Sequence, residues 1–123
     1  MADYLPKHNP GVQIPRTVGA TAVIGGRLVE VGTSDNVIPA GADSVKVVGV
    51  AAQDAAVGER VTVFTRAGGV HPLVASGAIA AGALVGAAAA GKAKTAAATA
   101  GAAIGLALTS AAADNDVIDV LFI

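Results

Sequence analysis

The chain has 123 residues, a mass of 11.7 kDa and a formal net charge of −1, enough for one compact domain with a short tail. Eight basic against nine acidic residues exclude a polyanion binder that works by bulk charge. The absence of cysteine excludes a disulfide framework, a thiolate metal site and a thiol nucleophile. Ala, Val and Gly supply 64 of the residues, and only 18 are large and apolar. A buried Ala removes little more than one methyl from water, and each CH₂ is worth roughly 0.8 kcal/mol. The core of a lone subunit is therefore expected to be thin and completed by other subunits or a host surface.

In chain order, residues 1–17 come first and carry Pro6, Pro10 and Pro15 with Gly11 among them. Proline lacks a donor N–H and biases its predecessor to extended backbone, so this segment reads as an extended arm rather than a packed element. No apolar core of a signal peptide is visible in it. Residues 18–123 then read as one β-domain. The runs at 27–31, 46–50, 60–65 and 117–121 are short, rich in Val, Ile and Leu, wholly or partly alternating, and bounded by Gly, Asp, Asn or Pro, as strands are. Gly25-Gly26 and Gly68-Gly69 are read as turns between such runs.

Residues 78–113 are rich in Ala, the best helix former. Five glycines, Gly82, Gly86, Gly91, Gly101 and Gly105, interrupt them, each costing about 1 kcal/mol inside a helix. Residues 75–91 and 95–113 carry no charge, but Ala, Gly, Ser and Thr gain too little in lipid to make membrane spans. An internal comparison decides the secondary structure. A shift of 56 residues, without gaps, gives 12 identities over residues 18–64; chance gives roughly five in this composition. They include Gly26/Gly82, Leu28/Leu84, Val29/Val85, Gly49/Gly105, Ala51/Ala107, Val18/Val74 and Val61/Val117. The order of small-residue turn, Leu-Val strand, Gly-led strand and Val-led strand repeats. The Ala-rich half is therefore expected to be β, through an internal duplication.

Three constellations invite chemistry. Gly86 to Lys92 matches the first seven positions of a phosphate-binding Walker A loop, but Ala93 stands where the magnesium-binding hydroxyl belongs. A hairpin turn at Gly91 with solvated Lys92 and Lys94 is the better reading. Asp114, Asn115, Asp116 and Asp119 lack the ligand count and terminal Glu of a calcium loop and suit a turn. His8 and His71, the two histidines, have no carboxylate or Ser at triad or metal-pair spacing; His71 is placed in a turn with Pro72. No catalytic, cofactor or metal site is expected, and the chain is not read as an enzyme.

The pattern resembles a known family. It is carried by Tyr4-Leu5-Pro6-Lys7-His8-Asn9-Pro10-Gly11, Gly26-Arg27-Leu28-Val29-Glu30-Val31, Lys46-Val47-Val48-Gly49-Val50-Ala51, the run from Asp54 to Val63, and Ala103-Ile104-Gly105-Leu106-Ala107-Leu108. These are similar to the small capsid decoration, or cement, proteins of tailed bacteriophages, with the form found in phages of actinobacteria nearest. The resemblance implies an all-β fold, a small β-barrel of the β-tulip kind, and a structural protein of the virion. It implies a protein made in the host cytoplasm that sits on the outer capsid surface, commonly as a homotrimer, with the major capsid protein as partner and neither nucleic acid nor membrane. Tyr4, Leu5, Pro6, His8 and Pro10 are the expected capsid-binding residues, on an arm able to add strand bonds along a partner. The rival reading is a small β-barrel ligand-binding or accessory module without catalysis. With two Phe, one Tyr and no Trp, the chain is poor material for a ligand pocket.

Overall fold

In a computed structural model the structure describes residues 12–123. The ten strands are β1 (Gln13–Val18), β2 (Leu28–Val31), β3 (Asn36–Pro39), β4 (Val47–Ala51), β5 (Arg60–Thr65), β6 (Val70–Val74), β7 (Leu84–Ala87), β8 (Ala93–Thr95), β9 (Ala103–Ala107) and β10 (Val117–Phe122). Single 3-10 turns at Arg66–Gly68 and Ala89–Gly91 are the other regular elements described. The first five strands form a closed barrel, β1-β3-β2-β4-β5, and the last five a sheet of order β6-β10-β9-β7-β8. The expectation of an all-β barrel-like fold holds, and the Ala-rich half is β.

The two sheets are copies of one design. β2 pairs with β3 and β4, β4 with β5, and β5 with β1; β7 pairs with β8 and β9, β9 with β10, and β10 with β6, all antiparallel. A bulge breaks the register at Val29/Glu30 and again at Val85/Gly86, 56 residues on. The isolated bridge Val23↔Ala55 recurs as Ile79↔Ala111. Gly26 and Gly82 open the β2 and β7 turns at φ +81° and +87°, a backbone region where a Cβ is strained.

The outer strands depart from that shift by one residue. Arg60 pairs with Thr17, and Val117 pairs with Val74, so β1 and β5 recur 57 residues later. The backbone bond from Val18 N–H to the Glu59 carbonyl likewise recurs from Ala75 to Asp116. The identities Val18/Val74 and Val61/Val117 are therefore one residue out of register: the structural counterparts of Val18 and Val61 are Ala75 and Ile118, buried as they are. Single-residue length changes in two turns produce the offset, which a gapless comparison passes over.

The interior follows from the repeat. Val18, Val23, Val29, Val37, Ala51, Ala55, Val61 and Val63 form the first core. Their counterparts Ala75, Ile79, Val85, Ala93, Ala107, Ala111, Ile118 and Val120 all belong to the second. The second core also takes in Leu28, Ala40, Val47 and Val50 from the first repeat. Leu28 pairs with Val50 on the outer face of β2 and β4, so the second repeat covers that face.

The boundary expected between residues 17 and 18 falls inside β1. Residues 13–17 are extended, but they pair with β5, and Thr17 and Val18 also pair in parallel with β3. Pro15 is accommodated because the β3 pairing starts only at Thr17, leaving an open side for its missing N–H. His71 and Pro72 are not in a turn: they lie in β6, which among the described strands pairs with β10.

Candidate functional site

The five arm residues proposed to bind a partner, Tyr4, Leu5, Pro6, His8 and Pro10, lie outside the described residues. Within residues 12–123 the chemistry of interest gathers at the junction of the repeats and on the outer face of the second sheet.

At the junction, the 3-10 turn Ala89–Gly91 crosses over β2. Gly91 donates its N–H to the Ala40 carbonyl at 2.9 Å. Its φ is +72°, and a Cβ there would lie 2.6 Å from the Leu28 carbonyl oxygen, so close approach of two backbones requires glycine. Lys94 Nζ meets the Asp43 carboxylate at 2.6 Å, and the Asp43 N–H donates to Ala87 O at 2.9 Å. The Arg66 guanidinium donates to the Ile123 carbonyl at 3.1 Å and the Ala103 carbonyl at 3.4 Å, tying the link between the sheets to the start of β9 and to the residue after β10.

Glu30 is the buried charged residue of this region, 8 % exposed. One carboxylate oxygen accepts the Gly41 N–H at 2.7 Å, and the other faces Lys46 Nζ at 3.5 Å. The His71 ring lies between Phe64 of β5 and Phe122 of β10, with centroids 5.9 and 5.0 Å away. Among the described residues its buried Nε2 has no hydrogen-bond partner. Burial holds its pKa below the ordinary value of 6.5, because the charged imidazolium loses solvation there.

The Walker-like segment is a hairpin between β7 and β8. Lys92 is not solvated as expected: its Nζ donates to Asp114 Oδ1 at 3.0 Å and Asn115 Oδ1 at 2.8 Å. It fastens the 114–116 turn to the hairpin. In that turn Asn115 takes φ +71°, and Asp116 Oδ2 accepts the N–H groups of Ala112 and Ala113. These carboxylates thus serve backbone and lysine, as a turn requires. Among the described residues no three His, Asp or Glu side chains are grouped to hold a metal ion, and no helix is long and apolar enough to cross a membrane.

The outer face of the second sheet escaped sequence reasoning. Leu84 is opposite Leu106, Leu106 opposite Leu121, and Leu121 opposite Val70, one row across β7, β9, β10 and β6. Leu84, Leu121 and Val70 are 52 %, 39 % and 51 % exposed. Period-two alternation was legible in β10; which side of it stays open was not.

Comparison with known proteins follows the fold. A profile of the phage cement protein family matches residues 8–122. No curated protein sequence is significantly similar to the chain. Among solved structures, the chain is similar to the head fiber gp8.5 N base of bacteriophage phi29, with a TM-score of 0.70 and 16 % identity over 91 % of this chain and 93 % of that one. At that identity the likeness speaks for the fold. The family match spans both repeats and every element described above, and on it the chain belongs to the phage cement protein family, as a capsid-associated structural protein.

Proposed function

We propose that this protein binds the outer surface of the phage capsid and clamps neighbouring major capsid protein subunits, acting as a homotrimer and without catalysis. The observation that carries the reading is the family match over residues 8–122, which reaches into the arm at His8 and Pro10. The physical logic is that of a clamp. Pro6 and Pro10 lack a donor N–H and favour extended backbone in their predecessors, a composition that suits an arm laid along a partner. Tyr4 and Leu5 offer anchors whose burial is worth roughly 1.5–3 kcal/mol each. Three arms on one trimer multiply that by effective concentration rather than by new contacts.

The test is deletion of residues 1–11. The barrel is expected to survive, because the closed barrel is built from β1 to β5 and β1 starts at Gln13, beyond the deletion. Co-sedimentation with purified capsids is expected to fall by orders of magnitude while thermal melting stays unchanged. A strongly lowered melting temperature with undiminished capsid binding per folded molecule would show the arm to be part of the fold instead.

A further inference from the structure

We infer that an open groove at the foot of the first repeat seats a lysine side chain from an extended segment of the capsid shell protein. The inference rests on the proposed function and names one point of contact for it. The groove has a volume of about 390 Å³. It lies at the Val18 end of β1, where Val18 donates its N–H to the Glu59 carbonyl. Its buried lining is Val23 and Ala55, joined by a backbone bridge, and its exposed lining includes Ala22 and Ile24. Asp54 and Glu59 complete it, both exposed.

Each carboxylate spends one oxygen on a backbone N–H. Asp54 Oδ1 accepts from Gly25 at 2.8 Å, and Glu59 Oε1 accepts from Ala56 at 2.7 Å. These bonds hold the two acids in place, yet neither is in an ion pair among the described residues. The acids that are paired, Glu30, Asp43 and Asp114, each face a lysine. Fixed carboxylates beside an aliphatic lining complement a long alkyl stem that ends in a cation.

The second repeat shows what this turn does with a lysine. Residues 57–59 correspond to 114–116, with Gly58 at φ +85° matching Asn115 at φ +71°. There Lys92 of the same chain binds Asp114 and Asn115, its side chain only 19 % exposed. Val37 corresponds to Ala93, so the counterpart of Lys92 is Asn36, and β3 brings no cation to its turn. The first repeat instead has Asp54 where the second has Ser110, and Ile24 where it has Ala80. Ile24 enters neither core and is 48 % exposed, so the barrel does not account for it. The Gly25 bond needs an acceptor at residue 54, not a charge.

The groove also lies apart from the arm. Residues 1–11 precede β1 at its Gln13 end, and six strand residues set the two ends about 17–20 Å apart. A clamp gains from two separated grips, because the second binds at the effective concentration set by the first.

Co-sedimentation of Asp54→Asn/Glu59→Gln with purified capsids tests this. Both replacements keep an oxygen that accepts the backbone N–H and remove the charge, so thermal melting is expected to stay unchanged. Capsid affinity is expected to fall about tenfold or more. Asp35→Asn/Asp119→Asn, which removes two exposed acidic charges elsewhere, is expected to bind as the wild type does. Treating decorated wild-type capsids with a water-soluble carbodiimide is expected to join Asp54 or Glu59 to a shell lysine by an amide bond, located by peptide mapping. That measurement decides alone if the groove variant melts lower.

A folded groove variant that binds as tightly as the wild type overturns the inference and leaves the proposed function standing. So does an equal loss in the control pair, or the absence of any amide link from either groove acid to a shell lysine. Links from the groove to lysines of this chain alone give it to the chain itself and also overturn the inference. Wild-type protein that fails to sediment with capsids overturns the proposed function, and this inference falls with it.

Discussion

The two repeats share a ladder but not a degree of self-sufficiency. In the first, Val18 and Val37 meet across the parallel β1–β3 pairing and close the barrel. In the second their counterparts are Ala75 and Ala93, and the pairing shrinks to a single bridge. Ile79 and Ile118, where the first repeat has Val23 and Val61, restore only part of the lost volume. The remainder comes from Leu73 and Phe122, which stand where the first repeat has Arg16 and Thr65, and from Leu28, Val47 and Val50 across the junction. The second repeat therefore completes its core with the outer face of the first. Duplication of a β-unit yields two cores only if each keeps enough large side chains; here the second one borrows.

The position after the shared bulge teaches the same lesson in polar terms. Glu30 reaches across to hold the Gly41 N–H, whereas its counterpart Gly86 lets the 96–102 loop approach, so that a Cβ there would lie 2.9 Å from the Ala102 carbonyl oxygen. One repeat bridges the gap with a carboxylate and the other closes it.

The sharpest way to break this comparison is to make one change at both equivalent sites. Leu28→Ala is expected to cost about 2–5 kcal/mol, since it opens a cavity shared by the two repeats. Leu84→Ala, at the half-exposed counterpart, is expected to stay within about 0.5 kcal/mol. Urea unfolding of the two variants measures both. Equal costs would mean that the second repeat does not lean on the first.

Restoring the first repeat's residue in the second is the next test. Ala93→Val recreates Val37 at a fully buried site already filled from across the junction. Overpacking is expected to cost about 1–3 kcal/mol, read as a lower urea midpoint at constant m-value. A gain in stability would instead show that the second barrel had room to close by itself.

Acid is expected to act at the aromatic contact between the sheets. The folded-state pKa of His71 is lowered by burial, so below 6.5 the unfolded chain binds a proton that the folded chain resists. The contribution of His71 is complete above 6.5, declines as pH falls below it, and levels off under the lowered folded value. Thermal melting of wild type and His71→Phe between pH 7.5 and about 4.5 checks this, with the histidine-dependent slope disappearing in the variant. The smallest effect expected is that of Lys92→Ala. Loss of its bonds to Asp114 and Asn115 is expected to cost about 0.5–1.5 kcal/mol and to speed amide exchange in the 114–116 turn.

Much of this organisation was legible beforehand. The strands at 28–31, 47–51, 60–65 and 117–122 announce themselves by β-branched content and turn residues. The strand identity of residues 84–107 was readable only through the repeat, because Ala and Gly carry too little local preference to overrule helix propensity. β1 and β6 were obscured by Pro15 and Pro72, which tertiary context admits where a strand has an open side. Lys92 reads as solvated because its partners are more than twenty residues away.

By itself the sequence determined that the chain is a thin-cored, duplicated β-protein, since strand alternation, turn glycines and the repeated pattern are local or one-dimensional signals. The one-residue offset of the outer strands, the closure of one barrel and not the other, and the covering of Leu28 but not Leu84 were decided by tertiary structure. Identical local patterns occur in both repeats, and only the packing of one on the other breaks their equivalence, because a face is buried or bare according to what stands opposite it.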